Sequence, residues 1–79
     1  MNGTIRITLK LIGPFVYKAG FSEKTIEVEA GATVESVVNS INLDPSRPRI
    51  VTRNGRAVTP AEKLEDGDRL VIAPIYSGG

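Results

Sequence analysis

Cysteine, histidine and tryptophan are all missing from the 79 residues of this chain. Without cysteine there is no disulfide framework, no thiolate nucleophile and no sulfur ligand for a metal. Without histidine as well, the usual zinc ligands and the commonest general base near neutral pH are gone. The chain is therefore expected to bind no metal and not to catalyse a reaction alone. Aromatic residues are few, two Phe and two Tyr, so the basic surface interleaved with stacking rings that marks nucleic-acid binders is not written here. Neither sign of charge dominates: the net charge is +1 with both signs scattered, which gives no overall field selecting nucleic acid or an anionic membrane. No apolar run approaches the roughly 20 residues that span a bilayer. The opening Met1-Asn2-Gly3-Thr4 lacks the basic and apolar regions of a signal peptide. A soluble, cytoplasmic protein with no membrane partner is expected.

What is present is aliphatic. Hydrophobic residues make up 41% of the chain, so the core must be Val, Ile and Leu, a composition that favours strands. A single domain of this length buries only about 60 to 65% of its unfolded surface, and a stability of about 4 to 12 kcal/mol follows. From Thr4 to Leu11, Ile5, Ile7, Leu9 and Leu11 alternate with polar residues, the period of a strand buried on one face. Gly13 and Pro14 end it, and the stretch to Lys24 reads as a long loop in which Phe15, Tyr17 and Phe21 form a lid over the core, with a contact surface as the other reading. Thr25 to Glu29 alternates again and should pair antiparallel with the first strand, since no crossover helix separates them. Thr33 precedes Val34, Val37, Val38 and Ile41, a helical stripe with Glu35 in its first turn. Asn54-Gly55 joins two short strands and suits a type I′ reversal. Thr59-Pro60-Ala61-Glu62 has the spacing of a capping box and predicts one helical turn. Arg69 to Pro74 places apolar residues on both faces and fits an interior strand.

This order predicts an α+β fold, a mixed sheet of four to five strands packed on one main helix, which is the ubiquitin-like β-grasp. Residues 1–74 are expected to form the domain and 75–79 a flexible tail. Arg47, Arg49, Arg53 and Arg56 read as a solvated basic face. Glu62, Glu65, Asp66 and Asp68 read mainly as turn and cap residues, with docking to a basic enzyme as the other reading.

The stretch from Asp66-Gly67-Asp68 through the apolar strand and Pro74 to Ile75-Tyr76-Ser77-Gly78-Gly79 resembles the ending of the MoaD/ThiS sulfur carriers, and the order of elements before it extends the resemblance over nearly the whole chain. The resemblance implies that the α-carboxylate of Gly79 is adenylated by an E1-like enzyme. A sulfurtransferase then supplies sulfur, and a thiocarboxylate passes it to a large synthase subunit or another acceptor in cofactor biosynthesis. The chain would then be a sulfur-donor substrate or the small subunit of a synthase, a monomer when free. It would bind no cofactor itself, ATP being used by the activating enzyme. Pro74 and the chain length resemble the molybdopterin branch more than the thiamine branch. The stretch from Gly13 to Lys24 departs from the pattern of both branches and leaves the acceptor open.

Elementary chemistry agrees with such a tail. A free carboxylate with a pKa of about 3.3 to 3.7 is an anion at neutral pH and a poor electrophile, so it must be activated. Gly78 has no Cβ to obstruct a narrow channel. The resemblance implies that Pro74, Ile75, Tyr76 and Ser77 bind the partner, and Pro74 to Gly79 extended spans about 20 Å. A ubiquitin-like modifier joined to lysines through Gly79, and a β-grasp binding domain with an idle tail, are the alternative readings.

Overall fold

The computed structural model describes residues 3–43 and 46–75. Five strands and two helices follow in the order β1 (Thr4–Leu11), α1 (Phe15–Ala19), β2 (Glu23–Glu29), α2 (Val34–Ser40), β3 (Arg49–Arg53), β4 (Arg56–Ala57) and β5 (Arg69–Pro74). The sheet order is β2-β1-β5-β3-β4. β1 pairs antiparallel with β2 and parallel with β5, and β3 pairs antiparallel with β5 and β4. The two terminal strands of the sequence thus lie side by side at the centre, and α2 covers one face. This is the mixed β-grasp sheet expected from the sequence.

Alternation decides the faces. Ile7, Leu9 and Leu11 of β1 and Leu70 and Ile72 of β5 point inward and meet Val34, Val37 and Val38 of α2, with Phe15 and Leu64 completing the buried core. The helix is seven residues long, too short to stand alone, so its buried stripe holds it on the sheet. Its start is fixed by a reciprocal cap. The Ser36 N–H donates to Thr33 Oγ1 at 3.2 Å, and Ser36 Oγ accepts from the Thr33 N–H at 3.0 Å. Ile41 lies one residue past the helix, in extended backbone.

Two local expectations are corrected. The segment after β1 is a helix as well as a loop: Pro14 caps α1 at one end and Gly20, with φ of 88°, at the other. Phe15 is buried, while Val16 and Ala19 pack against the core and Tyr17 faces solvent, 88% exposed. The three aromatics therefore do not act together as a lid. Phe15 is core, Phe21 is partly buried with the Lys24 ammonium 4.6 Å from its ring centre, and Tyr17 covers nothing. β2 accordingly begins at Glu23, not Thr25. Further on, Thr59 to Glu62 forms a tight turn, closed by the Glu62 N–H donating to the Thr59 carbonyl at 3.2 Å, and no helix follows. Lys63 pairs instead as an isolated bridge with Thr33. Burying Leu64 requires an extended chain here, and that contact overrides the local cap signal.

The reversal between β3 and β4 has positive φ at both central residues, 53° at Asn54 and 86° at Gly55, as the type I′ turn requires. Asn54 also works through its side chain. Its Nδ2 donates to Asp68 at 2.9 Å and its Oδ1 accepts from the Arg69 N–H at 2.9 Å. Gly55→Ala should cost about 1 kcal/mol from dihedral strain alone. Asn54→Ala should cost about twice that, because it also removes these two bonds. Chemical denaturation of both variants checks the order, and equal losses would mean that the side chain contributes nothing.

Candidate functional site

β5 carries the chain to the end of the sheet where β1 also finishes, because the two strands are parallel. Pro74 is the last residue of β5, buried and opposite Arg49 of β3. Ile75 leaves the strand but is still tied to it, its N–H donating to the Pro48 carbonyl at 3.2 Å. Its side chain is 53% exposed. The remaining expected site residues, Tyr76, Ser77, Gly78 and Gly79, lie outside the described residues. The described part of the site is therefore the exit: a strand held by β1 as far as Ile72 and by β3 as far as Pro74, then an exposed isoleucine.

The exit has an apolar surround on the face of the sheet away from α2. Ile50, 42% exposed, pairs directly with Ala73. Ile12 follows Leu11, the register partner of Ile72, and its N–H donates to the Ile72 carbonyl at 3.0 Å. Ile12 is exposed too. Ile50 and Ala73 are thus cross-strand partners, Ile12 follows the end of β1 on the other side of β5, and Val71 and Ile75 lie two residues before and after Ala73. Of the four large exposed apolar residues among the described residues, three are Ile12, Ile50 and Ile75. Sequence reasoning missed Ile12 and Ile50. The available signal was Ile50-Val51, two adjacent apolar residues in a strand, one of which must point away from the core.

At the opposite end of the sheet the charges close on themselves. Arg53, expected in a solvated basic face, is the centre of an ionic cluster. Its guanidinium donates to Asp68 at 2.6 Å, Glu62 at 2.9 Å and Glu65 at 2.9 Å. Arg56 approaches Glu62 at 3.7 Å. Asp66 accepts from the Arg6 N–H at 2.8 Å. Asp66 and Asp68 accept backbone N–H groups around the turn, in keeping with the turn reading, whereas Glu62 and Glu65 pair with Arg53, which neither reading anticipated.

Asp68 is 5% exposed. Burial alone would raise its pKa. The Glu65 N–H, Arg53 and Asn54 outweigh burial and hold the carboxyl below its ordinary value. Asp68 first, then Glu62 and Glu65, strengthen the charged state of Arg53. A depressed carboxyl pKa adds stability above the unfolded value, 3.8, and loses it as pH falls through the folded value. Asp68→Asn should therefore cost about 2 kcal/mol at neutral pH, with the gap to wild type narrowing below about pH 4. Melting curves across that range test this, and a gap constant with pH would remove Asp68 from the acid response.

Among the described residues no group of three or more His, Cys, Asp or Glu is placed to hold a metal ion. The three carboxylates that do converge surround the Arg53 guanidinium. No helix among them is long and apolar enough to cross a membrane.

The geometry can be set beside known proteins. The model of the ThiS family matches residues 9–79, nearly the whole chain. The chain belongs to the ThiS family. Among solved structures, a Pyrococcus furiosus protein provisionally named molybdopterin converting factor subunit 1 superposes with a TM-score of 0.78 at 25% identity, over 89% of this chain and 97% of that one. The ubiquitin of Caldiarchaeum subterraneum superposes with a TM-score of 0.62 at 27% identity, over 98% and 100% of the two chains. SAMP1 of Haloferax volcanii, at 24% identity and a TM-score of 0.74 over 94% and 99%, shows the shared fold. No match is found among curated proteins. These likenesses place this ThiS-family chain among ubiquitin-like β-grasp proteins, in a group of small sulfur carriers and modifiers whose members are generally not catalysts themselves.

Proposed function

We propose that this ThiS-family chain is a sulfur carrier in cofactor biosynthesis, and that its reacting group is the α-carboxylate of Gly79. What supports the reading is the exit of β5: a strand anchored at the sheet centre ends at the exposed Ile75 beside exposed apolar residues, while the family match runs through to Gly79. In this reading an E1-like enzyme binds the domain and ATP, and the Gly79 carboxylate attacks the α-phosphate to form an acyl-adenylate and release pyrophosphate. The outer sulfur of a sulfurtransferase persulfide then attacks the acyl carbon and displaces AMP, and a thiol reduces the resulting acyl disulfide to leave the thiocarboxylate. The domain is the handle, and the chain's contribution is to bring one carboxylate into reach with no bulk beside it. A large synthase subunit or other acceptor takes the sulfur. Among acceptors the molybdopterin type is favoured over the thiamine type, in keeping with Pro74 and with the Pyrococcus furiosus neighbour.

Intact mass after incubation with ATP, a sulfur donor and the organism's E1-like enzyme is the test. A gain equal to one oxygen replaced by sulfur supports the carrier. The second reading, a protein modifier, is favoured by the likeness to an archaeal ubiquitin. It would appear as a Gly-Gly remnant on lysines of other proteins, with no such mass gain on the free chain.

A further inference from the structure

The two edges of the sheet are not alike. β4 is two residues long, and so short an edge offers little to pair with. β2, the other edge, is seven residues long, contains no proline, and keeps an unbroken register with β1 from Glu23 to Glu29. The bonds at either end show which of its backbone groups are free. The Ala30 N–H donates to the Gly3 carbonyl at 2.9 Å and the Leu11 N–H to the Ser22 carbonyl at 2.8 Å. An antiparallel ladder bonds at alternate residues, so the even-numbered residues of β2 turn their backbone groups to β1 and the odd-numbered ones turn theirs outward. The Glu29 carbonyl is taken by the Ala32 N–H at 3.0 Å. That leaves the Glu29 N–H and both groups of Thr25 and Glu27 without a backbone partner among the described residues.

The side chains along this edge divide by face. Ile26 and Val28, register partners of Ile7 and Ile5, lie on the α2 side and are half-buried against the core. A groove runs between Val28 and α2, lined also by Val37 and by the small residues Ala32, Ser36 and Ser40. Glu23, Thr25, Glu27 and Glu29 lie on the other face. Glu23 is engaged by Lys10 at 3.5 Å and by Arg69 at 3.4 Å, whereas Glu27 and Glu29 have no ion-pair partner among the described residues.

We propose that β2 is a site of strand addition, and that its occupant is an extended segment of another protein in which basic side chains alternate with apolar ones. The open backbone groups take the segment's main chain. Its apolar side chains enter the groove beside α2, and its basic ones pair across the strands with Glu27 and Glu29. A second copy of this chain is the poorer fit. The outward backbone groups sit at odd positions only, so two copies pairing here would set the row Glu23, Thr25, Glu27 and Glu29 against itself, and like charges opposed across a strand pair are destabilising. The unpaired carboxylates lie at the end of β2 away from the tail, because β2 runs antiparallel to β1 and β1 finishes at the tail exit. A segment held there leaves the tail free to enter an enzyme, and the inference stands whether or not the chain carries sulfur.

The experiment follows the backbone amides of the full chain by NMR while a seven-residue peptide with blocked ends, lysine alternating with valine, is added. In the free protein, hydrogen exchange should be fast at Thr25, Glu27 and Glu29 and slow at Ile26 and Val28. With peptide at about ten times its Kd, exchange at the first three should slow about tenfold. Glu27→Gln combined with Glu29→Gln should weaken binding about fivefold or more, and salt should weaken it in wild type. Glu35→Gln, on the side of α2 toward β3, should leave it unchanged. A peptide methylated at its backbone nitrogens, unable to donate to the edge, should not bind. Equal binding of the methylated peptide, or shifted signals without slowed exchange at Thr25 and Glu27, would mean contact by charge alone and overturns strand addition. Equal binding of a peptide with glutamate in place of lysine overturns the basic occupant. Exchange at Thr25 and Glu27 that slows with protein concentration alone, with a doubled mass in sedimentation, gives the edge to a second copy and overturns the proposal too. No change at millimolar peptide overturns it outright.

Discussion

Deletion of Gly79 is expected to abolish activation by the E1-like enzyme while leaving the melting curve of the domain unchanged. Glycine brings no side chain to the core, and the buried side chains of β5 end at Pro74, so little apolar area is lost with it. The chemistry is far less forgiving. A reacting atom displaced by about 1 Å can lose on the order of 100-fold in rate, and one residue of extended chain is about 3.3 Å. An extra residue after Gly79 should act in the same way from the other side. Gly78→Val should match them, because a β-branched side chain restricts the dihedrals and widens the strand that must enter. Pyrophosphate release reports activation, and thermal denaturation reports the fold. Wild-type activation of the shortened chain would sink the carrier reading at its central claim.

The opposite division is expected of Val37→Asp, which should largely unfold the protein and lose activity only as a consequence. Val37 is 1% exposed and packs in the core with Val34 and Leu64. An unpaired carboxylate there costs several kcal/mol, which approaches the whole stability of about 4 to 12 kcal/mol for a chain of this length. Val38→Asp should be milder, since Val38 also borders the open groove between α2 and β3, lined by Val51, Val58 and Pro60, and can turn a charge toward water. Dispersed amide signals in the Val37→Asp spectrum would show that the stripe does not face the sheet.

Where the sequence was legible, the pattern was long or the chemistry singular. The alternation of β1, the stripe of α2 and the paired positive φ of Asn54-Gly55 each admit few conformations, and all three are found. Short segments were not legible in this way. Pro14 and Gly20 punctuate a loop and cap a five-residue helix equally well, and the burial of Phe15 decides between them. Thr59 to Glu62 carries a sound cap signal, yet the pull of Leu64 into the core outweighs it. Arg53 was unreadable for a different reason. Its carboxylate partners lie 9 to 15 positions away along the chain, and only the crossing of β3 with the turn before β5 brings them together. The exit residues from Ile75 onward were read from resemblance, and their placement depends on a strand order that no local pattern states.

The parallel pairing of β1 with β5 also sets how the domain answers a pull. In the carrier reading, an enzyme drawing the tail into its channel would apply tension along β5. Because β1 runs beside it in the same direction and β3 holds its other edge, that tension loads both ladders in shear, so their hydrogen bonds share the force and none can be peeled open first. Traction on the tail would therefore move the whole body toward the enzyme before it frees β5 from its neighbours. A domain whose last strand lay at the sheet edge as half of an antiparallel hairpin would unzip from its end under the same load.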